Sequence, residues 1–152
     1  MATKPTKKQT TKVIDASSAI LSKDPFKLYI CIKGDLPKSA NQLIGYHFRT
    51  RKQNADRWKF ITGSAVERNL PKEMIKDVHI KAIRHSNRFL DWDGAVTSLK
   101  PIIDALKGLV LVDDAYKFTG PWTVTQSFRS AAHGPMLELW ITERIEPFDT
   151  GS

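Results

Sequence analysis

The chain has 152 residues, 41% of them hydrophobic and 26% charged, and carries a formal net charge of +8. That length suits one domain with a real hydrophobic core, and no apolar run approaches the roughly 18 residues of a membrane span. The basic balance favours a polyanionic partner, because clustered Lys and Arg displace counterions from phosphates. A single cysteine, Cys31, excludes an internal disulfide and fits a reducing compartment such as cytoplasm.

Residues 1–25 read as a flexible basic arm, with Lys4, Lys7, Lys8 and Lys12 early and no apolar signal core. Phe26, Leu28, Ile30 and Ile32 alternate with Lys27, Tyr29, Cys31 and Lys33, the pattern of a strand with one buried face. Leu36 to Phe48 reads as a loop, broken by Pro37, Ser39, Asn41 and Gly45. Arg49 to Leu70 predicts a basic helix with Trp58, Ile61 and Ala65 inward, weakened by Gly63 and stopped by Pro71. Asp77 to His85 alternates again and predicts a second strand, leading through a basic turn of Arg84, His85 and Arg88 to Asp91. Leu99, Ile102, Ile103, Leu106 and Leu109 form the apolar stripe of an amphipathic helix, ended by Gly108. Val110 to Val112 predicts a short third strand, and Trp122 to Phe128 with Met136 to Thr142 a closing pair. The segments thus divide into an arm (1–25), a domain (26–146) and a tail (147–152).

The chemistry concentrates between Asp91 and Asp114. Asp91 and Asp93 precede a helix that carries Lys100 at its start, and Asp113-Asp114 follows it. Side chains two apart on an extended segment point the same way, and a helix N-terminus favours ionised carboxylates. Such carboxylates repel one another unless a cation lies between them. All the candidate ligands are oxygens, which favours Mg²⁺, or Mn²⁺, over Zn²⁺. Lys100 lies seven residues after Asp93, two helical turns and so nearly the same face, where an ammonium can stabilise a phosphorane-like transition state or protonate a leaving oxygen. Three plainer readings stand beside this one. Asp91 can be a helix N-cap beside a surface acid, Asp113-Asp114 can shape a turn, and Lys100 can be one more solvated lysine. Arg51, Lys52, Arg57, Arg84 and Arg88 are the candidate nucleic-acid contacts, with a solvated basic helix face as the plain alternative.

The stretch DWDGAVTSLKPIIDALKGLVLVDDAYKF resembles the signature of RusA-type Holliday junction resolvases, a family widespread in phages and prophages. The family shows Asp-x-Asp-Asn, a helix with a Lys-Pro-x-x-Asp-Ala-Leu flavour, a Gly-containing turn and Asp-Asp. Lys100 through Leu106 matches the helix, Leu36 through Asn41 resembles an early Pro-Ser-x-Asn loop, and Gly134 through Thr142 resembles the closing strand. Gly94 stands where the family often has asparagine, and Lys100 stands nearly one helical turn later than in well-known members. The resemblance implies a small single-domain α/β (α+β) fold, a mixed sheet flanked by two main helices. It implies a homodimeric, Mg²⁺-dependent endodeoxyribonuclease that nicks opposing strands of a four-way DNA junction in the cytoplasm of a bacterial host cell, encoded by phage or host. Asp91, Asp93 and Asp114 would be its catalytic and metal-ligating acids and Lys100 its catalytic lysine. The alternative is a branched-DNA-binding protein on the same fold with weak cleavage or none.

Overall fold

A computed structural model describes residues 14–43, 48–113, 115–120 and 122–144, with only the backbone of Ala40, Asn41 and Tyr116. Strand β1 (Asp15–Lys23) pairs antiparallel with β2 (Phe26–Lys33). After α1 (Ala40–Leu43) and α2 (Phe48–Val66) comes β3 (Val78–Ser86), then α3 (Trp92–Ser98), α4 (Lys100–Leu106) and α5 (Tyr116–Thr119). Strands β4 (Thr123–Phe128) and β5 (Met136–Glu143) complete a five-stranded mixed sheet of order β1-β2-β5-β3-β4, in which only β3 and β4 run parallel. The fold is a small single-domain α+β arrangement, as expected.

One face of the sheet buries Leu28, Ile30 and Ile32 of β2, Val78, Ile80 and Ala82 of β3 and Leu137, Leu139 and Ile141 of β5. Against it pack Trp58, Ile61, Ala65 and Val66 of α2 together with Leu99, Ile102, Ile103 and Leu106 around α4. Side chains of this size each stabilise the fold by about 1.5–3 kcal/mol when fully buried. The opposite face carries Tyr29, Glu138, His85 and Trp140, all half-buried.

Four expectations need correction. The arm does not extend to residue 25, because Asp15–Lys23 forms an edge strand whose alternation puts Ala16, Ser18 and Ile20 inward. The Ser18 hydroxyl also donates to Ala65 O, tying this edge to α2. Residues 1–13 and the tail beyond residue 144 lie outside the described residues. Val110 to Val112 is not a strand. The turn at Gly108 (φ +85°) folds the chain back, so that Leu111 N bonds Leu106 O at 3.0 Å and only isolated bridges to Ile75 and Lys107 remain.

The closing strands exist but are not partners. β3 lies between them, and the burial of β5 marks a central strand while the more exposed β4 is an edge. Finally, the helix at Lys100 is not continuous with the Asp93 turn. Pro101 stands at the second position of α4 and cannot donate a backbone bond to the preceding turn, so the chain breaks at Leu99 and restarts.

Candidate nucleic-acid interface and acidic site

The parallel pair β3/β4 sets the geometry. In open sheets, ligands favour the crevice beyond the carboxyl ends of parallel strands. Here that crevice is a cleft of about 400 Å³, bounded by the residues after β3 and β4 and by the loop after β2. Arg84, Arg88, Arg129, Lys38 and Asp35 supply its charged lining, and Leu90 leads from it directly to Asp91. Gln126 of β4 holds that connection, bonding Leu90 N and Leu90 O at 2.8 Å each.

Asp91 caps α3. Its backbone is extended, and its Oδ1 accepts from Gly94 N at 2.9 Å. Asp93 follows in the first turn, and both residues are exposed. Gly94 makes room for the close approach: a Cβ there would stand 2.4 Å from Asp91 Oδ1, which would have to turn away, and at ordinary contact, 3.5 Å, from the Ser39 Cβ. The cap and the loop after β2 therefore meet over this glycine. Ser39 and Gln42 close that loop with a reciprocal capping box, Gln42 N to Ser39 Oγ at 3.2 Å and Ser39 N to Gln42 Oε1 at 2.8 Å.

Asp113 Oδ1 accepts from Ala115 N at 2.9 Å, so this carboxylate shapes the turn into α5. Asp114 lies outside the described residues. Among the described residues no three His, Cys, Asp or Glu side chains group as a metal site. The Lys100 ammonium meets Asp104 at 2.9 Å, one turn along its own helix, with both side chains more than half exposed. The break at Leu99 removes the continuous helical face that would have aligned Lys100 with Asp93.

The expected basic contacts divide. Arg51, Lys52, Arg57 and Arg88 are exposed, the first three on α2. Arg57 donates to Asp35 Oδ2 at 2.7 Å and lies 5.7 Å from the Trp58 ring centroid. Arg84 lies in β3, within the expected strand, but keeps 5% of its surface exposed, so it lines the cleft from beneath rather than forming part of an open basic surface. Its Nη1 donates to Pro37 O at 3.0 Å and to Ser98 Oγ at 2.7 Å, joining the loop after β2 to the end of α3. Burial lowers its pKa to about 10, partly offset by the charge of Asp35.

Sequence reasoning passed over Lys38 and Arg129. Their signal was positional: each lies a few residues past the carboxyl end of a strand. Among the described residues no helix is long and apolar enough to cross a membrane. Comparison with protein-family models and with curated proteins finds no match for the chain.

Proposed function

We propose that the chain is a divalent-metal-dependent endodeoxyribonuclease that resolves four-way or other branched DNA junctions by paired phosphodiester cleavage. The observation that carries the reading is the position of Asp91 and Asp93, two exposed acids in the segment that leaves a cationic cleft beyond the parallel strands through Leu90. The resemblance of residues 88–116 to RusA-type resolvases supports the same chemistry, and adds Asp114 as third acid and a twofold homodimer suited to symmetric cuts. The working location is the cytoplasm of a bacterial host cell.

Asp91 and Asp93 present hard oxygen donors to solvent, a donor set that fits Mg²⁺ or Mn²⁺. Such an ion supplies Lewis-acid polarisation of the phosphoryl oxygen and stabilises the leaving alkoxide. The exposed cations Arg51, Lys52 and Arg88 would hold the DNA backbone by charge rather than by sequence. The Lys100–Asp104 surface pair is worth at most about 1 kcal/mol.

A second reading, a branched-DNA-binding protein with weak or no cleavage, is favoured by the helix break at Leu99 and by the engagement of Asp91 Oδ1 in the cap. Incubation with a synthetic four-way junction and Mg²⁺ separates the two. The nuclease reading expects paired nicks that vanish with chelator; binding without nicking supports the second; no binding removes both.

A further inference from the structure

We propose that the cleft beyond β3 and β4 is a binding site for one phosphate of a nucleic-acid backbone, with Arg84 as its floor and Arg129 and Arg88 as its walls. That the phosphate belongs to the DNA being cut rests on the nuclease reading above.

The argument starts from Arg84. A buried charge whose counter-charge is not in direct contact still costs lost hydration, and the charge of Asp35 offsets only part of that cost at Arg84. Among the described residues no carboxylate lies within ion-pair reach of Arg84, and its hydrogen bonds run to one carbonyl and one hydroxyl. Both bonds use Nη1, so the rest of the guanidinium is not consumed by the bracing of Pro37 and Ser98. A neutral amide could brace that loop; the charge is in excess of the structural task.

Arg129 repeats the pattern on the facing turn. Its Nε donates to Gly134 O at 2.8 Å and its Nη2 reaches His133 O at 3.4 Å. Carbonyl bonds of this kind orient a guanidinium and leave its charge in place. Arg88 and Lys38 add two more cations to the lining. The one acid there, Asp35, is already bonded by Arg57 at 2.7 Å and by Leu36 N at 2.8 Å. A tetrahedral oxyanion adds negative charge beyond that of Asp35 and brings several acceptor oxygens matched to forked donors. At about 400 Å³ the cleft also has room for the sugar beside a diester.

The test titrates the full chain with inorganic phosphate and, separately, with the dinucleoside phosphate thymidylyl-thymidine, following the arginine Nε–H resonances by NMR. The expected result is a saturable shift of Arg84 and Arg129 with the dinucleoside phosphate, weakened about tenfold or more by Arg129→Ala, the loss of one charge-assisted bond. Arg84→Gln should weaken it as much; should that variant fail to fold, Arg129→Ala, at a half-buried position outside the hydrophobic core, still decides the matter. Shifts with inorganic phosphate alone would overturn the backbone assignment. No shift with either ligand, or unchanged affinity in Arg129→Ala, would overturn the site. Dinucleoside binding in a chain that never nicks junctions removes the nuclease reading and leaves the cleft. Nicking with an unresponsive cleft does the reverse.

Discussion

At the scale of single residues, Gly94 and Arg84 carry the most information. Gly94 allows Asp91 to fold over the first turn of α3, where its Oδ1 meets Gly94 N. Gly94→Ala puts a Cβ into that space, and the flexible end of Asp91 must rotate away. The loss of a good N-cap bond should cost about 1 kcal/mol, read as a lowered midpoint in urea. Unchanged stability would mean that the cap contributes nothing. Arg84 shows how far the letters could be read. Val78, Ile80, Ala82 and Arg84 share one face of β3 by simple alternation, so its inward position was legible. The same residue was also grouped with His85 and Arg88 as a basic turn, and its burial goes against the general rarity of buried arginine.

At the scale of elements, the strands of the core and the helix containing Trp58 were legible because their periodicities are strong. Neighbour relations were not. Nothing local tells β4 and β5 that β3 will separate them, since pairing is decided by burial on both faces at once. The break between α3 and α4 had a visible cause in Pro101, overshadowed by the apolar stripe that runs through it. On the sheet face opposite the core, three strands are joined by Glu138, which accepts from the Tyr29 hydroxyl at 2.7 Å and meets His85 Nε2 at 2.6 Å.

Burial opposes ionisation of Glu138, but the bonds from Tyr29 and His85 and the charges of His85 and Lys81 outweigh it and hold its pKa below the ordinary value. A carboxylate depressed in the folded state stabilises the fold above its unfolded pKa, and that contribution is lost as pH falls through the lower folded value. Thermal stability should therefore drop as pH falls below about 4.5. In Glu138→Gln the acid limb should be flatter; an equally steep limb would place the sensitivity elsewhere.

At the scale of the whole molecule, the helices close one face of the sheet, and the carboxyl ends of β3 and β4 gather cations beside an exposed acid pair. The acid pair was plain in the sequence, while the cleft was not, because its lining comes from three separate loops. Backbone recognition makes binding strongly salt-dependent. Four phosphate contacts imply a loss of about a hundredfold in junction affinity between roughly 50 and 200 mM salt. A flat response in a binding titration would count against phosphate contacts.

The most direct measurement compares the wild-type chain with Asp93→Asn on a synthetic four-way junction, with nicking and binding read in parallel. Wild type should nick in Mg²⁺, while Asp93→Asn should lose nicking by at least about a hundredfold and bind as tightly or more tightly, having lost a charge that repels phosphate. A variant that cuts as well as wild type, or a wild type that never cuts with Mg²⁺ or Mn²⁺ present, would contradict the metal-dependent nuclease.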